Sequence, residues 1–107
     1  MPFELKQPIT GAQLHVAETD FHEKMSLDDA MRVCQNLGNG WRLPNIEELK
    51  VMYEQLHTKG KGNFMKARYW SNSQTSTNEV WTVDFYSGDS SCFDKDSDYR
   101  VRAVRAL

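Results

Sequence analysis

The segment from Gly40 to Leu49 constrains the fold of this chain more than any other, because it joins two helical patterns. Asn45 is a favourable helix N-cap, and Glu48, three residues later, completes a capping box. Pro44 precedes the cap and limits extension of the helix towards the N-terminus. The segment predicts a buried structural connection rather than an active-site motif, and its residues are Gly40, Trp41, Arg42, Leu43, Pro44 and Glu48.

Apolar residues recur at helical spacing on both sides of this segment. Ser26 is the expected N-cap of the first helix, and Gly38 is its expected end because glycine adopts the left-handed conformation without strain. Gly60 is expected to end the second helix. The predicted buried positions are Leu27, Ala30, Met31, Cys34 and Leu37 in the first helix and Ile46, Leu49, Met52, Tyr53 and Leu56 in the second.

Outside the helices, polar and apolar residues alternate, which indicates strands. The expected strands cover residues 13–17, 69–71, 80–86, 91–94 and 99–105. We expect residues 1–11 to form an irregular arm and residues 71–78 a polar surface loop. The order of elements predicts a single α+β domain over residues 1–107, with two helices packed on a small, mainly antiparallel twisted sheet.

Length, charge and hydropathy exclude several classes of function. The chain has 107 residues, enough for one core, and a net charge of −2, so charge gives no reason to expect nucleic acid or an anionic membrane as partner. No apolar run reaches the length of a membrane span, and the N-terminus shows no signal peptide. The sequence therefore predicts neither nucleic-acid binding nor a membrane span.

The arginines have functional and structural interpretations. Arg42 could bind an anion, but its place between core residues favours pairing with a carboxylate such as Glu48. Three arginines are expected in the last strand, where they would pair with acids such as Asp84: Arg100, Arg102 and Arg105.

The three tryptophans could form an aromatic sugar platform, or they could fill the core of a small domain. We expect core positions for Trp41 and Trp81, whereas Trp70 is open to either interpretation. Alternation places Trp81 on the same strand face as Val83 and Phe85.

No metal or cofactor site is expected. Asp94, Asp96 and Asp98 have the spacing that opens a calcium loop, but an EF-hand needs Gly at position six and Glu at position twelve. Tyr99 and Arg105 occupy those positions, so the run is interpreted as a solvated acidic turn. The three histidines are scattered, and no nucleophile–base pair has local support.

Several short motifs come in an order seen in one bacterial domain family. They are Gly-Trp-Arg-Leu-Pro from Gly40, Tyr-Trp-Ser from Tyr69, Trp-Thr-Val from Trp81 and Val-Arg-Ala-Val-Arg from Val101. Over residues 12–107 the chain resembles the Lcl C-terminal domain family, bacterial domains of uncharacterised function first named from a collagen-like adhesin. The Arg-Leu-Pro element with Glu48 is also similar to formylglycine-generating and sulfatase-modifying domains. Both resemblances imply a C-type-lectin-like fold, in which first and last strands pair and long polar loops carry ligand sites.

The cysteines differ from both of these groups. Many relatives in the Lcl family have a cysteine between the last two arginines, able to pair with the helix cysteine, whereas this chain has Ala103 there. We therefore expect Cys34 to be a buried, reduced thiol, with a disulfide to Cys92 as the alternative. Formylglycine-generating enzymes use two reactive cysteines near the C-terminus, and this chain has only Cys92 in its C-terminal half.

We expect a non-enzymatic binding or interaction module, because no catalytic constellation accompanies the long polar loops. Its partner would be a glycan, a peptide or a protein. The expected contact residues lie in the loop region: Asn72, Gln74, Asn78, Tyr86, Asp89, Phe93 and Lys95. The alternatives are an enzyme related to formylglycine-generating proteins that uses Cys92, and a structural or assembly domain.

Localisation has two competing indications. The absent signal and the missing family cysteine favour the cytoplasm, whereas the resemblance to adhesins favours export. A monomer is the expected oligomeric state.

Overall fold

In the computed structural model, which describes residues 2–7 and 10–106, two α-helices accompany two three-stranded antiparallel sheets. The helices are α1 (Leu27–Asn36) and α2 (Ile46–Gln55), and a 3₁₀ turn, His57–Lys59, follows α2. The strands are β1 (Phe3–Lys6), β2 (Gln13–Val16), β3 (Arg68–Gln74), β4 (Glu79–Asp84), β5 (Ser90–Asp94) and β6 (Val104–Ala106). The sheets have the orders β1-β2-β6 and β3-β4-β5, which confirms the predicted α+β fold.

Both helices begin where their caps predict. The Ser26 Oγ accepts a hydrogen bond from the Asp29 backbone N–H (3.5 Å), and the Asn45–Glu48 capping box is complete. Each cap is worth about 1 kcal/mol because it satisfies backbone N–H groups that have no partner within the helix. Gly38, with φ +71°, follows the last turn of α1 as expected.

The apolar stripe of α1 is only partly buried. Leu27, Ala30 and Cys34 lie in the core, whereas Met31 and Leu37 are 40% and 46% exposed. Successive helical residues are about 100° apart, so Ala30 and Met31 cannot both face the centre of the core, and Leu37 stands beyond the last turn. The predicted burial of Met31 and Leu37 is therefore wrong.

Residues 3–6 form strand β1, so the prediction of an irregular arm over residues 1–11 is wrong for this part. β1 pairs antiparallel with β2, and Leu5 stands opposite Leu14. Leu5 is 6% exposed and packs in the core. Burial of a leucine side chain is worth about 2 kcal/mol, which stabilises a strand too short to be recognised by alternation. Residues 1, 8 and 9 of the predicted arm lie outside the described residues.

Strand β3 occupies the first half of the segment predicted as a polar loop, residues 71–78, so that prediction is wrong up to residue 74. Ser71 is buried and donates from Oγ to the Trp81 carbonyl (2.6 Å). Ser73 Oγ accepts from the Ile46 N–H at the beginning of α2 (2.9 Å). These bonds satisfy the hydroxyl groups, so a polar sequence forms a partly buried strand.

Only the end of the predicted last strand, residues 99–105, belongs to a regular strand, β6, which pairs with β2. Isolated bridges hold the preceding backbone to the segment before α1 and to β3. Val101 and Ala103 are buried as expected, but Arg102 is also buried, at 1% exposure. Arg102 is buried because the side opposite Val101 and Ala103 is covered too: its guanidinium lies over the Phe64 ring and pairs with the acid Asp20.

The second sheet divides the core into two apolar clusters. Val80 packs with residues of α1, and Val83 packs with residues of α2. Because successive strand residues point to opposite faces and both faces are covered, β4 does not show one buried and one exposed side. The predicted buried face is found for Val83 and Phe85 but not for Trp81, which is half-buried.

Candidate functional site

The seven predicted contact residues do not form one surface; the structure divides them among three places. Tyr86 and Asp89 lie in the β4–β5 turn. Asn72 lines a cleft beside α1. The turn is separated from the β3–β4 loop by the length of β4, about 17 Å at roughly 3.4 Å per strand residue. The remaining four residues surround the β3–β4 loop, namely Gln74, Asn78, Phe93 and Lys95.

The group at the β3–β4 loop is largely held by contacts within the fold. The Lys95 N–H donates to the Asn78 carbonyl (2.8 Å). The Phe93 ring packs against Tyr99, with 5.4 Å between ring centroids, and lies 4.4 Å from the Arg68 guanidinium. Phe93 thus stabilises the hairpin, and the exposed amide side chains of this group remain for a ligand.

The β4–β5 turn presents Tyr86, which at 74% exposure is the most exposed large apolar residue of the described chain. Asp89 shapes the turn, since its carbonyl accepts from the Asp84 N–H (2.9 Å) and its carboxylate accepts from Ser87 Oγ (3.1 Å). The turn therefore offers one aromatic ring on a hydrogen-bonded support.

Asn72 lines a cleft of about 130 Å³ between α1, the connection to α2, and β3. We call this the Arg42 cleft. On α1, two of its residues stand four positions apart, so their side chains lie one above the other on the same helix face. The Asn72 backbone N–H donates to the Pro44 carbonyl (2.9 Å), which fixes β3 against the connection. The lining residues are Met31, Gln35, Arg42, Leu43 and Asn72.

The Arg42 guanidinium is held by the capping residue of α2. Nη1 and Nη2 donate to the two carboxylate oxygens of Glu48, at 2.7 and 2.9 Å. Glu48 is 3% exposed and also accepts from the Asn45 N–H (2.8 Å) and from Gln7 Nε2 (3.2 Å). Glu48 neutralises the Arg42 charge within the fold, so the structural interpretation of Arg42 is confirmed.

The protonation states of Glu48 and Arg42 follow from this geometry. Burial alone would raise the pKa of Glu48, but the hydrogen bonds from Arg42, Asn45 and Gln7 outweigh burial and hold the pKa below its usual value. The hydrogen bond to Glu48 in turn raises the pKa of Arg42. The pair therefore stays ionised near neutral pH.

A second arginine network, centred on the buried Arg102, was not predicted from the sequence. Arg102 Nε donates to Asp20 Oδ1 (2.8 Å), and Tyr69 donates from its hydroxyl to the other Asp20 oxygen (2.5 Å). Burial and this hydrogen bond raise the pKa of Tyr69. Asp20 lies 82 positions before Arg102, so no local pattern could have indicated the pair. The other Arg102 N–H groups donate to the carbonyls of Ala17 (2.9 Å), Gly62 (2.6 Å) and Asn63 (3.1 Å).

The predicted pairing with an acid is found for Arg102, whose partner is Asp20, but the prediction that Asp84 is the partner of the late arginines is wrong. The Asp84 Oδ2 atom lies 3.6 Å from the Arg68 Nη2 atom on the neighbouring strand. Arg100 donates to the His22 carbonyl (3.0 Å), and Arg105 Nη1 lies 3.5 Å from the Asn39 carbonyl. These backbone partners come from distant segments, which charge pairing in the sequence does not reveal.

The tryptophans differ from the expectation. Trp70 is fully buried, and its Nε1 donates to the Met25 carbonyl (2.6 Å). Trp41 and Trp81 are half-buried, so their predicted core positions are only partly found. The Trp41 ring centroid lies 5.2 Å from the Arg105 guanidinium. Because Trp70 is inside, the three rings do not form one sugar platform.

Both cysteines are free and have different environments. Cys34 is buried in the cluster beside α1, and desolvation raises its pKa to about 12. Cys92 on β5 is half-buried and stands opposite Trp81. The expected buried, reduced Cys34 is confirmed, and the alternative Cys34–Cys92 bridge is absent.

Within residues 2–7 and 10–106, no three side chains of His, Cys, Asp or Glu form a group that could hold a metal ion. The acidic run forms a turn in which the Asp94 carboxylate accepts from the Asp96 N–H (2.8 Å). Over the same ranges, no helix has the length and apolar character needed to cross a membrane.

The helices, the second sheet and the Arg42 cleft all lie within a stretch that matches a known family. The sequence profile of the Lcl C-terminal domain matches residues 10–105. The chain belongs to the Lcl C-terminal domain family. Among curated proteins, no match was found. In this Lcl C-terminal domain, strand β1 precedes the matched residues, so the strand that sequence patterns missed also lies outside the part that defines the family.

Proposed function

We propose that this Lcl C-terminal domain is a non-enzymatic, C-type-lectin-like binding module that holds a glycan, a peptide or a protein segment at the Arg42 cleft. The observation that carries the proposal is the convergence of two side-chain amides, a fixed guanidinium and an exposed methionine on about 130 Å³. The pairing of β2 with the last strand, β6, supports the C-type-lectin-like assignment.

The walls of the Arg42 cleft supply complementary contacts. Gln35 and Asn72 carry amides that both donate and accept hydrogen bonds, which suits hydroxyl and peptide groups. Met31 adds a flexible apolar surface that adapts to ligand shape. Because Glu48 neutralises Arg42, the guanidinium is suited to orient a neutral polar group rather than to attract an anion.

The size of the cleft favours one unit of a larger ligand. Sites that enclose a whole small molecule have volumes of about 300–1,000 Å³. A volume of about 130 Å³ fits one side chain or one sugar unit. Further contact area would come from the exposed amides at the nearby end of β3 and in the β3–β4 loop, Gln74 and Asn78.

The experiment starts with a glycan array and a peptide library probed with the labelled wild-type domain. For the probe that binds best, Asn72→Ala and Met31→Ala should each weaken binding about 10-fold, which corresponds to about 1.4 kcal/mol. Tyr86→Ala, in the β4–β5 turn outside the Arg42 cleft, is the matched surface variant and should change the affinity less than about twofold.

The opposite pattern overturns the proposal. If Tyr86→Ala weakens binding and the cleft variants do not, the ligand occupies the β4–β5 turn instead. Circular dichroism checks that the variants fold. The Asn72 side chain makes one long hydrogen bond, 3.3 Å to the Leu43 carbonyl, so its removal should leave the fold intact.

A further inference from the structure

The segment that joins α2 to the second sheet concentrates positive charge. Residues 55–78 contain four lysines and arginines and no Asp or Glu. The whole chain has a net charge of −2, so the remaining residues together carry −6. Arg68 is paired with Asp84, but within residues 2–7 and 10–106 no ion-pair partner is found for the three lysines: Lys59, Lys61 and Lys66.

Two of these lysines line a second cleft of about 320 Å³, which is larger than the Arg42 cleft. We call it the lysine cleft. His57 and Phe64 form its aromatic side, with ring centroids 6.1 Å apart and planes nearly perpendicular. Its volume falls within the range of pockets that enclose small molecules. The lining residues are His57, Gly60, Lys61, Asn63, Phe64 and Lys66, and none of them is acidic.

Buried Arg102 determines how the backbone of the lysine cleft is oriented. The position of its guanidinium is fixed, because it donates hydrogen bonds to the carbonyls of Gly62 and Asn63 and lies 4.1 Å from the Phe64 ring centroid. In a trans peptide unit the C=O and N–H groups point in opposite directions. The carbonyls of Gly62 and Asn63 point inward, so the N–H groups of Asn63 and Phe64 point away from Arg102.

These two N–H groups have no hydrogen-bond acceptor within the described ranges, and both residues line the lysine cleft. The site thus combines two outward backbone donors with two unpaired ammonium groups, from Lys61 and Lys66. Because Arg102 holds the backbone donors in place before any ligand arrives, an anion can bind to them without the cost of ordering the loop.

We propose that the lysine cleft binds a phosphate group, either as the free ion or as a phosphomonoester. A phosphate carries about −1.5 to −2 charges at pH 7, which matches the two lysines, and three oxygens that accept from backbone and side-chain donors. A carboxylate carries one charge and would leave one lysine unneutralised. The cleft shares no lining residue with the Arg42 cleft, so the two sites are tested independently.

The test is an NMR titration of the ¹⁵N-labelled chain with inorganic phosphate and, separately, with glycerol 3-phosphate, against sodium chloride at equal ionic strength. We expect saturable shifts centred on the amides of Asn63 and Phe64. The double variant Lys61→Gln/Lys66→Gln should raise the dissociation constant at least 10-fold. The double variant Lys24→Gln/Lys50→Gln removes the same two charges outside the lining and should change the dissociation constant less than twofold.

Tighter binding of inorganic phosphate identifies the free ion as the ligand, and tighter binding of glycerol 3-phosphate identifies an ester. Three results overturn the proposal: shifts that chloride reproduces, shifts centred elsewhere, or a double variant that binds as well as wild type. Well-dispersed spectra of the variants establish that they are folded, which is expected because both lysines are exposed.

Discussion

Replacement of Arg102 by methionine tests whether the buried arginine network stabilises the whole fold. Methionine replaces the unbranched aliphatic part of the side chain but donates no hydrogen bond. The change leaves the Asp20 carboxylate, whose side chain is 10% exposed, without its cation. It also leaves the carbonyls of Ala17, Gly62 and Asn63 without the donor that satisfies them.

Loss of one partner of a buried ion pair costs about 3–5 kcal/mol, because the other charge stays buried and unpaired. The stability of a domain is typically about 5–15 kcal/mol, so Arg102→Met should remove a large part of it. For a domain of this size, each kcal/mol lowers Tm by about 4 °C, and we expect a decrease of about 12–20 °C in circular dichroism melts. Urea unfolding gives the corresponding free energy.

Arg100→Met is the matched control, since within the described chain its side chain donates one hydrogen bond, to the His22 carbonyl, and should cost about 1 kcal/mol. The double variant Asp20→Leu/Arg102→Met removes both charges and should recover part of the loss. The reasoning would be refuted if Arg102→Met lowered the free energy of unfolding by less than about 1 kcal/mol, or by no more than Arg100→Met does.

Other substitutions test the capping box, strand β1 and the cysteines. The pKa of Glu48 is lower in the folded protein than in the unfolded chain, where it is about 4.3. The ionised carboxylate therefore stabilises the fold above about pH 4.3, and this contribution is lost as the pH falls through the pKa of the folded state. The stability difference between wild type and Glu48→Gln, about 2 kcal/mol at pH 7, should therefore shrink in urea unfolding below about pH 4, and a constant difference would contradict this. Leu5→Ala should cost about 2–3 kcal/mol in the same assay, whereas Glu4→Ala on the exposed side of β1 should cost under about 1 kcal/mol; equal effects would argue against a packed β1. At pH 8 a thiol reagent should modify Cys92 no faster than an ordinary exposed cysteine and Cys34 only after unfolding, and rapid modification of Cys92 would support the enzyme alternative.

Features with local causes were predictable from the sequence. The Asn45–Glu48 capping box, the Ser26 cap and the glycine after α1 depend on residues within a few positions of one another. The pairing of Arg42 with Glu48 was predictable for the same reason, since the two residues are six positions apart and the capping box holds Glu48 at the beginning of α2. These features define the connection between the helices and one wall of the Arg42 cleft.

Features with distant causes were not predictable. Ser71 and Ser73 look like loop residues until the Trp81 carbonyl and the beginning of α2 supply their partners. Arg102 looks like an exposed strand residue until Asp20 and distant carbonyls surround it. Polar residues whose partners lie far along the chain resemble solvent-exposed residues, so alternation assigns them to the wrong environment.

The ion pairs of Arg102 and Arg42 affect the two clefts in opposite ways. Arg102 directs carbonyls inward and so leaves N–H groups and lysine charges for the lysine cleft. Glu48 instead neutralises the guanidinium of the Arg42 cleft. In Glu48→Gln the guanidinium keeps its charge but loses the neutralising carboxylate, so the Arg42 cleft should gain affinity for carboxylate probes. The phosphate affinity of the lysine cleft should stay within about twofold, since that cleft has none of the residues that Glu48 contacts.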